Sequence, residues 1–301
     1  MKILVAGASG ALGRPLVARL RQAGHDVWGM AQSAGGVAAV NALGAGVVQG
    51  NVLDRAAVFA IMERVRPDCV VDQLTSLPAS PFDLPQRLPA DRVLRLQGGG
   101  HLFDAAQACG VRQYIQQSCG FYLDGAGGLA DDAAPLKTTA PGHIGESARM
   151  YAQLEKRVMS AANMQGTALR YGFFYGPRTW YWPDGAFTTH MRQGEVAQIG
   201  AGKSVFSFIH VEDAAEATVR ALGARGGVYN VVDDQPVAVH AWLPAYARWV
   251  GAPPPGAMAE QDAVQQLGEE SVYYQNALDG ATNHKARSVL GFVPRAQPWA
   301  G

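Results

Sequence analysis

The chain has 301 residues, 25 basic and 25 acidic side chains, a formal net charge of zero and only 17% charged residues. That balance excludes a polybasic binder of nucleic acid or anionic membrane, and no apolar run of about 18 residues offers a membrane span. Three isolated cysteines, Cys69, Cys109 and Cys119, lack metal-ligand spacing and read as reduced thiols of a cytoplasmic protein that holds no metal.

Lys2–Ala6 is a short β-branched and apolar run, so the chain enters a strand at once, without a signal-peptide pattern. Gly7-Ala8-Ser9-Gly10-Ala11-Leu12-Gly13 follows, and an amphipathic stretch over 14–23 stops at Gly24. Strand, glycine loop and helix in that order form the context of a dinucleotide fingerprint. Gly7 permits a tight turn, Gly10 lets a pyrophosphate approach bare backbone, and Gly13 lets the helix lie close to the sheet. A second strand is predicted over 26–31, a helix near 36–43 and a third strand over 46–49. Asp54 is placed to N-cap a helix over 55–65, which ends before Pro67. A fourth strand over 69–74 leads into a proline-rich loop through Pro89. The helix predicted over 92–109 contains Gly98-Gly99-Gly100, which suits close packing against a neighbour. A fifth strand over 113–117, a long helix over 145–164 and a sixth strand over 167–171 complete the alternation. Such alternation specifies an α/β, Rossmann-type, doubly wound parallel sheet with right-handed crossovers. Beyond about 175 the pattern breaks into short segments rich in aromatics, glycine and proline. Ligands of such sheets bind at the carboxyl ends of the strands. Residues 1–172 therefore read as a nucleotide-binding domain, with return elements near 205–233, and 173–301 mainly as a smaller substrate lobe.

Further motifs follow the glycine loop in order: Gly50-Asn51-Val52-Leu53-Asp54; Ser118-Cys119-Gly120-Phe121-Tyr122; and the run from Leu169 to Pro177. Phe208-Ile209-His210-Val211-Glu212-Asp213-Ala214-Ala215, Val228-Tyr229-Asn230-Val231 and Leu290-Gly291-Phe292-Val293-Pro294 come after them. Together they resemble the short-chain dehydrogenase/reductase superfamily, and more narrowly its extended or atypical NAD-dependent epimerase/dehydratase group. The resemblance spans nearly the whole chain. It departs at Asn51, where the group usually has Gly-Asp-x-x-Asp. It implies an NAD(P)-dependent oxidoreductase or epimerase/dehydratase acting on a small, aromatic or polyketide-like metabolite, as a monomer or homodimer. The cofactor positions it implies are Gly7, Ser9, Gly10, Ala11, Leu12, Gly13, Gln32, Asn51, Val52, Leu74 and Tyr171.

Members that perform hydride chemistry combine a Ser or Thr with Tyr-x-x-x-Lys, in which the tyrosine exchanges a proton with the substrate oxygen and the lysine lowers its pKa. On that pattern Ser118, after the fifth strand, fixes the substrate oxygen, and Tyr151 is the proton donor. Glu155 stands four residues on, in the lysine's place, and Lys156 is rotated about 140° away on the helix. Glu155 is accordingly expected to face the cofactor ribose or the substrate. The broken motif also leaves open a non-redox enzyme on the same fold and a non-catalytic redox-sensing regulator. Trp28-Gly29-Met30-Ala31-Gln32-Ser33 carries no acid for a 2′-hydroxyl, and Arg14 and Ser33 suit a 2′-phosphate, so NADP is favoured over NAD. The aromatics of 173–183 are either the wall of a pocket for a flat substrate or the core of the lobe. His210 and Asp213 read as a scaffold for a helix start, as do His143 and His190 for their surroundings.

Overall fold

The structure, a computed structural model, describes residues 1–300. The first half runs β1 (Lys2–Ala6), α1 (Gly13–Gln22), β2 (Asp26–Ala31), α2 (Ala34–Asn41), β3 (Gly46–Gln49), α3 (Arg55–Val65) and β4 (Cys69–Asp72). A helical rod follows, made of α4 (Leu84–Val93), a π-helical turn (Leu94–Gly98) and α5 (Gly99–Ala108). Then come β5 (Gln113–Cys119), α6 (Gly142–Met159) and β6 (Gln165–Tyr171). The remainder comprises β7 (Phe173–Tyr175), α7 (Ala186–Arg192), β8 (Ala197–Ile199), β9 (Val205–Phe206), β10 (Phe208–His210), α8 (Val211–Ala221) and β11 (Gly227–Val231). Last are β12 (Val237–Ala238), α9 (Val239–Trp249), β13 (Gly256–Met258), α10 (Glu260–Leu267), α11 (Glu269–Asn276) and α12 (His284–Leu290).

Seven strands form one parallel sheet in the order β11-β6-β5-β4-β1-β2-β3. The order reverses between β1 and β4, so the carboxyl ends of these two strands open a crevice. Side chains alternate across the sheet, as pleating requires. Ile3 and Val5 join a core with Leu16, Leu20, Ala214 and Leu290, under α1, α8 and α12. Leu4 and Ala6 join the opposite core with Val58, Met62, Leu102 and Phe103, under α3 and α5. A third core gathers the aromatics of the C-terminal part, including Tyr175, Phe208, Trp242, Tyr246 and Trp299.

The proline-rich stretch differs from its sequence reading. It is helical from Leu84, because Pro85 sits in the first turn, where its missing N–H had no intrahelical partner anyway. Pro89 removes one further bond and is tolerated within the helix. The glycine run does pack closely, since a Cβ on Gly98 would lie 2.6 Å from Val52 Cγ1. Asp54 caps α3 as expected, with its carboxylate accepting from the Ala57 N–H at 3.1 Å.

Just beyond β11, Asp233 is buried and accepts hydrogen bonds from Gln297 Nε2 and the Gln235 N–H, each at 3.0 Å. Burial pushes its carboxyl up to about 7. A folded-state pKa above the unfolded value favours the folded protein at low pH. That contribution, on the order of a few kcal/mol, is complete below about pH 4 and is lost as pH rises through about 7. The melting temperature is therefore expected to fall more steeply from pH 5 to 8 in the wild type than in Asp233→Asn. Parallel pH profiles by calorimetry would remove Asp233 as the cause.

Candidate active site

β1 ends at Ala6 and the backbone turns at Gly7, where φ is 78°. A Cβ at Gly7 would lie 2.3 Å from the Gln73 carbonyl oxygen, and one at Gly13 would lie 2.1 Å from that of Gly7. The fold itself demands both glycines. Gly10 differs, because its Cβ would meet only the Gly7 carbonyl oxygen, at 3.3 Å. What a side chain there would fill is the space in front of the loop. In the first turn of α1 the Arg14 N–H is taken by the Gly10 carbonyl oxygen at 3.2 Å, that of Leu16 by the Leu12 carbonyl oxygen, and Pro15 has none. The N–H groups left without a protein acceptor are those of Ala11, Leu12 and Gly13, where the loop enters the helix.

A cavity of about 1270 Å³ runs from this loop past the carboxyl ends of β4 and β5 into the C-terminal part. It exceeds the usual range of small-molecule pockets. Gly7, Ser9, Gly10, Ala11, Leu12, Gly13, Ser118, Tyr151 and Tyr171 all line it, so the fold brings these sequence-derived positions together. Tyr171 is anchored by hydroxyl contacts to Thr218 at 2.7 Å and to Gln73 Nε2 at 3.3 Å. Gln32, Asn51, Val52, Leu74 and Glu155 are not among the lining residues. Gln32 is exposed beyond β2, and Asn51 is spent on a local turn, accepting from the Leu53 N–H. Val52 and Leu74 pack into the core beneath the sheet.

Glu155 departs most from expectation. Arg170 donates to both of its oxygens, Nε to Oε1 at 2.7 Å and Nη2 to Oε2 at 2.8 Å, and Ser118 Oγ donates to Oε1 at 2.6 Å. Arg170 also donates to the Ala134 carbonyl oxygen at 3.0 Å, so this buried node ties β5, α6, β6 and the loop at 132–134 together. The carboxylate therefore does not face a ribose or a substrate. The reason is helical register. Positions 147, 151 and 155 share one face of α6, but Glu155 lies about 6 Å farther along the axis than Tyr151. Only Ser147 and Tyr151 of the three reach the cavity. Lys156 is exposed, as its rotation on the helix requires. Because Ser118 gives its proton to Glu155, it presents lone pairs to the cavity and acts there as an acceptor.

Tyr151 has no lysine beside it. The Arg95 guanidinium, on the π-helical turn, lies over its ring at 5.4 Å from the centroid, and burial holds the phenol well above its ordinary range. Four buried polar atoms on lining residues have no protein partner: Gln73 Oε1, Arg95 Nη1, Ser147 Oγ and Trp242 Nε1. The sequence reading missed Arg95, Ser147 and Trp242. Counting one helical turn back from Tyr151 would have found Ser147.

The aromatic segment serves both roles considered for it. Phe173 stacks between Phe121 and Phe206, with centroids 4.2 Å away on each side, and Trp180 and Tyr181 stand with it on the cavity wall. Tyr175 and Trp182 turn into the lobe core. At the cofactor end, Ser33 caps α2 by accepting from the Gly36 N–H, and Arg14 Nε donates to the Ser9 carbonyl oxygen at 2.8 Å, which folds its side chain onto the glycine loop. His210 caps α8, and Asp213 is held by Arg295, as scaffold residues would be.

A family model described as NAD dependent epimerase/dehydratase family matches residues 3–232. A 3-diazoavenalumate denitrifying reductase from a Streptomyces species is 37% identical, over 99% of this chain and 98% of its own length. A UDP-glucose 4-epimerase from Mycolicibacterium smegmatis is 26% identical, over 98% of this chain and 94% of its own. Among solved structures, the UDP-glucose-4-epimerase of Stenotrophomonas maltophila with bound NAD and formylated UDP-arabinopyranose superposes with a TM-score of 0.77 at 20% identity. That match covers 99% of this chain and 95% of the other. The Thermotoga maritima UDP-glucose 4-epimerase with UDP-glucose gives 0.74 at 22% identity, covering 100% and 96%.

Proposed function

The chain belongs to the NAD dependent epimerase/dehydratase family and is an NAD(P)-dependent enzyme; from that premise we propose that it is a reductase that replaces the diazo group of an aromatic substrate with hydrogen. One observation carries this reading. The α6 face that meets the cavity bears Ser147 and Tyr151, with no lysine, and Glu155 is withdrawn into an ion pair. Interconverting an alcohol and a ketone requires a group that takes and returns the hydroxyl proton. This site holds no such base beside its phenol. NAD(P)H, when bound, supplies a hydride. Reduction of an aryl diazonium balances as ArN₂⁺ + H⁻ → ArH + N₂: the hydride pair makes the new bond, the carbon–nitrogen bond breaks, and no proton is taken up. A site without Tyr-x-x-x-Lys is sufficient for that reaction. The 37% identity to a denitrifying reductase supports the same choice.

The chain's own residues have defined tasks in this scheme. Gly7 to Gly13, with the N–H groups where the loop enters α1, would hold the pyrophosphate, and Gln73 Oε1 would offer an unfilled acceptor at the cofactor end. Ser118 turns its oxygen lone pairs toward the cationic diazonium group, and Glu155 with Arg170 fixes the Ser118 hydroxyl. Tyr151 and Phe173 form walls against the flat ring and exclude water. The test uses NADPH deuterated at C4 with 3-diazoavenalumate. Release of dinitrogen with one deuterium in the product is expected. Absence of both, with turnover of UDP-glucose instead, would favour sugar epimerisation.

NADPH is the preferred donor in this reading. No carboxylate stands at the end of β2 to receive a 2′-hydroxyl, while Arg14 at the glycine loop and Ser33 at the start of α2 supply a cation and a hydroxyl on the same side of the fold, which supports the reading. A several-fold preference in a fluorescence titration is expected. NADH tighter by tenfold, about 1.4 kcal/mol, would contradict it.

A further inference from the structure

Arg95 is 2% exposed and pairs through Nε with Asp91 Oδ2 at 2.7 Å. Asp91 is also served by the Thr75 hydroxyl and the Ser76 N–H. The carboxylate is therefore well satisfied, and the guanidinium is not. Nε is its only nitrogen bonded to protein among the described residues, and Nη1 is buried without any partner. The face of the guanidinium lies toward the Tyr151 ring, which satisfies its charge in part but none of its in-plane N–H donors. One turn back from Tyr151, Ser147 Oγ is likewise buried and unpartnered on the same cavity. Buried donors are normally filled, and a guanidinium fork matches a paired or anionic oxygen. The residue that carries the fork sits in a π-helical turn, a distortion that often marks a functional site.

We propose that Arg95 and Ser147 together hold an anionic oxygen of the aromatic substrate, a phenolate or a carboxylate. This rests on the reductase reading and specifies what its substrate must carry besides the leaving group. The anion anchors a ring that the aromatic walls alone would let slide, because stacking is tolerant of translation whereas a fork is not. Arg95 is then the specificity-determining residue, and Ser147 supplements it with one neutral hydrogen bond.

The test measures binding without turnover, by tryptophan fluorescence at pH 8. The probes are 4-hydroxy-3-nitrocinnamate, which carries both anions, its methyl ester, which keeps the phenolate, and 4-methoxy-3-nitrocinnamate, which keeps the carboxylate. The doubly charged probe is expected to bind the wild type, to weaken at least tenfold in Arg95→Met and less in Arg95→Lys, and to weaken several-fold in Ser147→Ala. The singly charged probe that retains the Arg95 dependence identifies the oxygen. Failure of all three probes to bind the wild type would overturn the proposal, as would affinities within twofold in a folded Arg95→Met. Should Arg95→Met not fold, Arg95→Lys and Ser147→Ala decide: weakened binding supports the site, and unchanged affinity in both overturns it. Arg95-dependent binding without deuterium transfer would sink the reductase reading and leave the anion site standing.

Discussion

Gly10→Val is expected to abolish NAD(P)H binding while the protein stays folded. The three glycines of the loop look equivalent in sequence, but the structure separates them. Side chains at Gly7 and Gly13 would collide with backbone oxygens at 2.3 Å and 2.1 Å, so substitution there breaks the β1–α1 junction itself. At Gly10 the nearest protein atom to a Cβ is 3.3 Å away, a contact that small shifts relieve. The added methyl groups instead occupy the space where the pyrophosphate must meet bare backbone. A loss of more than 100-fold in affinity, about 2.7 kcal/mol or more, is expected by calorimetry, with a melting temperature close to the wild type's. Gly13→Val should show the reverse order of damage, losing the fold first. Unchanged affinity in folded Gly10→Val would mean that the loop is not the phosphate site.

Glu155→Lys restores the Tyr-x-x-x-Lys spacing on paper, yet it is expected to unfold the protein. The new ammonium would face the Arg170 guanidinium in a buried site, with no anion between them. Arg170→Met, which leaves the Glu155 carboxylate buried with only Ser118 as donor, is expected to cost about 3–5 kcal/mol. Glu155→Leu combined with Arg170→Met should lose much less than the sum of the single changes, because an apolar pair often replaces a buried ion pair at little cost. Urea unfolding of the four proteins measures this. A Glu155→Lys variant that melts within a few degrees of the wild type would show that the node is dispensable.

What the sequence made legible was what is encoded locally. The strand–loop–helix at 2–22, the Asp54 cap and the strand-helix alternation rest on neighbours in the chain, and the sheet forms accordingly. Of the expected site positions, the cavity gathers those where a motif coincides with a strand end, Gly7–Gly13, Ser118 and Tyr171, and with them Tyr151 on α6. Helical periodicity states that positions 147, 151 and 155 share a face. It does not state which part of that face overlooks the crevice, a matter fixed by where α6 crosses β5 and β6. Periodicity therefore directs Glu155 to the cofactor ribose or the substrate, although its partner, Arg170, lies on β6. Arg95 falls inside the helix predicted over 92–109, but its ion-pair partner Asp91 lies before that predicted start, beside the proline-bearing stretch that reads as a loop. Its place over the Tyr151 ring is set by packing between elements distant in sequence.

The central claim is that hydride reaches this substrate without a tyrosine proton donor. The kcat of Tyr151→Phe for NADPH-dependent release of dinitrogen from 3-diazoavenalumate tests it most directly. A positioned proton donor is worth about 10²–10⁴-fold. A Tyr151→Phe kcat within about tenfold of the wild type's is expected, because the phenol is a wall of the site and no proton is taken up. A fall of 100-fold or more, with cofactor affinity intact, would make Tyr151 the acid and contradict the account.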